Sequence, residues 1–308
     1  MIESALSFLF LTLSVAAVYI LVATGLSITM GTLDFANMTH AALYLFGAYI
    51  ALVIIGKPEV GGVLESAGFS TFGLGWGLVP AIILTPIIVF GIGLVLEKYV
   101  VRPLSDRNVV DQILITFGLL FMAQELMAIL FGTGGQTISR PGWASGPLAL
   151  PGIGTVSRWR FYVILITVIL MGALLLFYKR TDFGLVVRGA TQDAQMVQLL
   201  GIKVNRPYAF VFGIGAAYAG IAGLLGGTIF AINHELGVEI LIPALLVVVA
   251  GGMGSIKGTI VAGTLFGLAW ATANSVYPQG MEASIYLVAI VIIMLWPEGL
   301  FGSTGVEM

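Results

Sequence analysis

Long apolar runs separated by short polar interruptions occupy the chain from end to end. A helix needs about 20 mostly apolar residues to cross a bilayer. Runs of that kind fall near residues 5–30, 38–56, 76–97, 110–131, 160–178, 207–232, 239–254, 259–277 and 283–297. The pattern predicts an all-α, polytopic transmembrane helix bundle of about eight or nine spans, forming one domain over residues 1–308. The second run opens with Asp34, Asn37 and His40. It reads either as a full span or as a re-entrant or broken helix, and the helix count turns on that choice.

Composition agrees with the pattern. Hydrophobic residues make up 59% of the chain and charged residues 9%, against about 25% charged in soluble domains. Membrane lipid is therefore the surrounding this surface demands. A net charge of −2 gives no reason to expect nucleic acid. With no cysteine, disulfides, thiolate metal sites and cysteine nucleophiles are excluded. The two histidines lie far apart in sequence, and no residue set resembles a catalytic or metal-binding constellation. Met1-Ile2-Glu3-Ser4 lacks the positive start of a secretory signal, so the first run is expected to be a retained helix.

Charge also sets the orientation. Lys98, Arg102 and Arg107 lie in one polar stretch, and Lys179, Arg180, Arg188, Lys203 and Arg206 in another. Two spans separate the stretches, so they share a side, and the positive-inside rule makes that side cytoplasmic. Lys257 falls in a turn on the same side, whereas Lys57, Arg140, Arg158 and Arg160 fall on the other. The C-terminus is then inside. The N-terminus is outside if the second run crosses fully, and inside if it only dips. The Gly- and Pro-rich stretch 132–159 is expected to face the exterior.

Gly215, Ala219, Gly223 and Gly227 recur every fourth residue, and so do Gly263, Gly267 and Ala271. Such small-residue rows let helix backbones approach closely. Residues 251–258, GGMGSIKG, match neither a Walker loop nor a dinucleotide fingerprint and read as a tight turn. The chain thus shows no ATP site of its own. In residues 31–47, Asp34 suits an N-cap in a cytoplasmic turn, or else Asn37, Thr39 and His40 border a translocation path. Glu125 inside the fourth run is a second pathway candidate, because intramembrane carboxylates are costly; its plain alternative is a hydrogen-bonded structural role. His234, Glu235 and Glu239 read most simply as a solvated external loop.

Residues 179–206 are long for a connection between helices, and they alternate charge with apolar Leu185, Val186, Val187, Met196, Val197, Leu199 and Leu200. One or two amphipathic helices on the cytoplasmic face are expected, ending at Gly201. They either cover the end of the bundle or dock into a soluble partner.

Residues 188–202, RGATQDAQMVQLLGI, resemble the coupling loop of permeases of the branched-chain amino acid type of ABC importer. The GGMGSIKG stretch and Trp296-Pro297-Glu298-Gly299-Leu300-Phe301 resemble further motifs of that family, as does the region from Gly25 to His40. The resemblance implies a permease subunit for branched-chain or other small amino acids and related polar solutes, in the inner (plasma) membrane of a bacterium or archaeon. Urea, amides and organic or aromatic acids are substrates of other members. It further implies a second, related permease chain, two cytoplasmic ATP-binding subunits that hold ATP and Mg, and a periplasmic or extracellular substrate-binding protein. Arg188, Ala190, Asp193, Leu199, Leu200 and Gly201 would form the ATPase-coupling surface. A stand-alone secondary transporter or channel is the alternative.

Overall fold

The computed structural model describes residues 2–33, 35–150, 154–202 and 204–302; the side chains of residues 2–4, 150, 154 and 191–195 also lie outside that description. The elements are α1 (Ile2–Leu33), α2 (His40–Ile55), α3 (Gly62–Ser66), α4 (Leu78–Leu96), α5 (Arg102–Leu104), α6 (Val109–Phe131), α7 (Arg158–Arg180), α8 (Asp182–Leu199), α9 (Asn205–Gly226), α10 (Leu236–Gly251), α11 (Ile256–Val276) and α12 (Met281–Leu295). A two-stranded hairpin, β1 (Pro147–Leu150) and β2 (Gly154–Ser157), lies in the 132–157 connection.

Among the described residues, seven helices are long and apolar enough to cross a membrane. α2 and α10 are equally apolar but have only 16 residues each, about 24 Å at 1.5 Å per residue. Each of the nine predicted runs coincides with one of these helices.

The short second helix is completed by a non-helical lead-in. Ala36 N donates to Gln112 Oε1 at 3.2 Å, beside the cytoplasmic Leu104 and Arg107 carbonyls that the same glutamine caps. At its far end, Ile55 leads into a loop in which Gly61 N donates to the Phe131 carbonyl. Residues 35–61 therefore run from one end of α6 to the other, and the second run crosses the bundle. That makes nine crossings among the described residues, with the N-terminal end of α1 at the end of the bundle opposite Arg188 and Lys257.

The two ends separate cleanly. Ile28, Gly31, Tyr178, Arg188 and Lys257 border one cleft, which joins the ends of α1 and α7 to α8 and the start of α11. At the opposite end Gln136 pairs with Ile232, and Arg140 donates to the Thr228 carbonyl. Arg188 and Lys257, both predicted to be cytoplasmic, thus meet at one end, and Arg140, predicted to be external, lies at the other.

Helix α9 is the central span, packed by α1, α2 and α4. Its small residues explain how three neighbours fit. A β-carbon on Gly215 would lie 2.7 Å from Thr29 Cγ2 of α1, and one on Gly220 would lie 2.8 Å from Val89 of α4. One on Gly223 would fall on the Tyr44 carbonyl of α2. The row therefore serves more than one partner helix, and Gly227 sits past the helix end against Ile232 and Ile138. On α11, Gly263 faces Ile20 and Gly267 faces Ala16, both on α1. Dispersion gained at such backbone contacts replaces the hydrophobic effect, which lipid removes as a driving force between spans.

Helix α4 continues through a π-turn, Glu97–Val101, into α5. Pro103 lacks an N–H and would crowd the preceding turn, and a widened turn relieves both problems. It also brings Arg102 back onto Glu97 in a bidentate pair, with Nη2 donating to Oε1 at 3.0 Å and to Oε2 at 2.8 Å. Glu97 is buried, so the guanidinium is what allows a carboxylate there.

Candidate functional site

Unwound backbone inside a membrane must be satisfied by protein. The lead-in to α2 meets that demand through α6. Gln112 takes the Ala36 amide, Thr116 Oγ1 takes the Met38 amide at 3.2 Å, and Thr39 Oγ1 donates to the Thr116 carbonyl at 3.2 Å. His40 Nε2 lies 3.0 Å from the Val22 carbonyl of α1, so that nitrogen carries the proton. Asn37 is fully buried, and neither atom of its amide has a partner among the described residues. Asp34, the expected N-cap, lies outside the described residues.

The pathway candidates part company here. Asn37 and His40 are packed inside the protein, whereas Thr39 and Glu125 border a groove of about 470 Å³ between α4 and α6. The rest of that groove is apolar, with Phe46, Ile92 and Leu126 among its walls. Glu125 is exposed on the outer surface of α6 rather than turned into the bundle.

Within the 179–206 stretch, the described residues between α7 and α9 form a single helix, α8 (Asp182–Leu199). Thr181 caps it, accepting the Gly184 amide at 3.0 Å, an N-terminal signal of the expected kind. Its inner face sets Ala190 and Val197 against Val204 and Tyr208, and Val187 is also buried. Leu185, Leu199 and Leu200 point outward, with Leu199 82% exposed. Arg188 is exposed too and borders the cleft with Lys257. Gly201 takes φ +81° just past the helix, and Ile202 N reaches back to the Val197 carbonyl, as in a Schellman stop. Asp193 lies on the α8 backbone, and its side chain is outside the described residues.

Comparison with known proteins decides the family. The family model described as "Branched-chain amino acid transport system / permease component" matches residues 8–296. The chain belongs to that family. It is 28% identical over 96% of its length to the high-affinity branched-chain amino acid transport system permease protein BraD of Pseudomonas aeruginosa, covering 95% of that protein. It is 26% identical, over 96% of this chain and 94% of the relative, to the LivH permease protein of Escherichia coli K12. A probable branched-chain amino acid transport permease protein LivH of Methanocaldococcus jannaschii is 25% identical over 94% of this chain and 89% of its own.

The family and the seven membrane-length apolar helices among the described residues make this a multi-pass inner-membrane permease. Within that permease fold, the coupling residues named from sequence share α8 and its stop, whereas the four pathway residues do not share one cavity. A cavity of about 600 Å³ between α1, α2, α6, α10, α11 and α12 contains none of the four. Its walls include Tyr19, Tyr44, Glu239 and Glu282. Tyrosines inside apolar runs carry no signal in a hydropathy pattern. The spacing of Glu235 and Glu239, one helical turn apart at the start of the seventh run, is the sequence feature that marks it.

Proposed function

We propose that this permease is the membrane subunit of an ATP-driven importer for branched-chain or other small amino acids and related small polar solutes. Its partners in this reading are a second, related permease, two cytoplasmic ATP-binding subunits holding ATP and Mg, and an external substrate-binding protein.

The observation that carries the reading is α8. A cytoplasmic helix whose inner face is anchored by Val187, Ala190 and Val197 leaves Leu185, Leu199 and Leu200 projecting from the protein. An apolar helix face of this kind suits insertion into a groove of a soluble partner. The relatives' names, all those of transport-system permease proteins, support the same division of labour.

The test is co-purification. Affinity purification of the intact assembly should bring down two ATPase-sized subunits with the permease. Leu199→Asp should release them while the permease still inserts in the membrane. Unchanged ATPase recovery with Leu199→Asp would remove α8 as the docking element.

A further inference from the structure

The cavity between α1, α2, α6, α10, α11 and α12 is lined both by residues near the Ile232–Gln136 end of the bundle and by residues deeper within it. Its upper wall includes Phe230 of the external connection and Glu282 in the first turn of α12. Its lower wall is formed by Tyr19, midway along α1, and Tyr44, in the second turn of α2. Both tyrosines are buried.

Three carboxylates, Glu235, Glu239 and Glu282, line the cavity, and among the described residues no Lys, Arg or His does so. Carboxylates at the first turns of α10 and α12 have a simple structural explanation, since negative charge suits a helix N-terminus. That explanation does not extend to Tyr44. Its side chain is wholly buried and lines the cavity, and its hydroxyl has no hydrogen-bond partner among the described residues. Gln124 Oε1, on the α6 wall, is likewise buried without a partner. Buried polar groups left unpaired are rare and call for a missing partner.

The chemistry of the walls selects that partner. Asn233 Nδ2 donates to Glu239 Oε1 at 3.3 Å, and His234 Nε2 lies 4.0 Å from Glu235 Oε1. Glu239 keeps acceptor capacity beyond one amide, as a carboxylate has about four lone-pair sites. Trp270 packs edge-on against Phe230 with ring centroids 5.9 Å apart, and both rings border the space. Acceptors, carboxylates and aromatic faces together favour a cation. Ile240, Ile242 and Pro243 supply an apolar wall beside them.

Resting on the permease reading above, we propose that this cavity is the external solute site of the chain. It takes the protonated amine of a small solute, such as the α-ammonium of an amino acid, with the apolar wall receiving a hydrocarbon side chain. Solutes whose only charge is a carboxylate are repelled by Glu239 and Glu282.

The test uses the purified full chain in lipid nanodiscs and three probes: leucinamide, which has the ammonium alone; 4-methylpentanoate, which has the carboxylate alone; and 4-methylpentanamide, which is uncharged. Binding is read by calorimetry and by Trp270 fluorescence, with Trp270→Phe defining the contribution of the other tryptophans. Leucinamide should bind saturably and change the Trp270 signal, and the other two probes should not. The near-isosteric double variant Glu239→Gln with Glu282→Gln should weaken leucinamide binding about tenfold or more, the factor set by losing one hydrogen bond to a charged group. Its circular-dichroism melt shows whether it remains folded. 4-Methylpentanoate binding as tightly as leucinamide would overturn the proposal without any variant. So would unchanged leucinamide affinity in the folded double variant. The failure of leucinamide to bind while ATPase subunits still co-purify through α8 would overturn the cavity assignment alone. Loss of the ATPase association itself is read separately and bears on the permease reading.

Discussion

His40 Nε2 and the Val22 carbonyl, 3.0 Å apart, tie the start of α2 to the middle of α1. Gly25, one turn further along α1, makes the approach possible, since a β-carbon there would lie 2.9 Å from the imidazole. The carbonyl it engages belongs to a helix that has already satisfied its own ladder, so the imidazole gains a second-lone-pair acceptor. Replacing His40 with Ala should lower unfolding stability by about 1–3 kcal/mol, the cost of a lost buried hydrogen bond and its cavity. Denaturation of the purified protein in detergent measures this. Stability equal to the unmodified chain would remove the tether from the account.

Close packing makes a second, larger effect at Gly223. A leucine there has no volume to occupy, because even a β-carbon would overlap the Tyr44 carbonyl. Gly223→Leu should abolish accumulation of monodisperse protein in size-exclusion chromatography. Gly172, whose β-carbon position has nothing within 4 Å, should accept leucine without loss. Normal assembly of Gly223→Leu would contradict the backbone contact between α9 and α2.

Those two residues show what a sequence reveals and what it hides. A four-residue period marks Gly223, because packing faces repeat with the helix. The direction of the row stays hidden, since a period does not say that Gly215 meets α1 while Gly223 meets α2. The sixth apolar run also extends further than its helix, to residue 232. Thr228, Ile229 and Phe230 keep the hydropathy high, but α9 stops at Gly226 and the chain turns to pair Ile232 with Gln136. The second run is ambiguous in sequence for a related reason. Gln112 and Thr116 satisfy its unwound start from α6, some 76 to 78 residues away in sequence, and no local pattern records such a partner. Tyr19 and Tyr44 escape notice because their rings read as apolar.

The Glu97–Arg102 pair offers a third test. Glu97 is 3% exposed, while the Arg102 side chain is 43% exposed. Arg102→Ala leaves a buried carboxylate uncompensated and should cost about 1–3 kcal/mol, below the figure for a wholly buried pair because water reaches the arginine side. Arg102→Lys should recover only part of it, since a lysine cannot make the bidentate contact. Equal stability of the alanine and arginine forms would show that the π-turn holds without the pair.

The absence of cysteine makes single-cysteine labelling free of background. With nine crossings, Ser4→Cys should react with a membrane-impermeant maleimide added outside intact cells, and Asp106→Cys should not. A protected Ser4→Cys would mean that residues 35–55 only dip into the membrane.

Within α8, Asp193→Arg should leave insertion intact and uncouple ATP hydrolysis from uptake. Normal uptake with normal ATPase association would take the helix out of the coupling path.

Proximity cross-linking from α8 in the assembled complex tests the proposed function most directly. Leu199→Cys, carrying a photoreactive maleimide, should cross-link to an ATP-binding subunit, while the same label on Val168→Cys, which is 62% exposed on α7 within its membrane span, should not. Ion-gradient-driven uptake by the purified chain alone in liposomes, with no cross-linked partner at position 199, would contradict it.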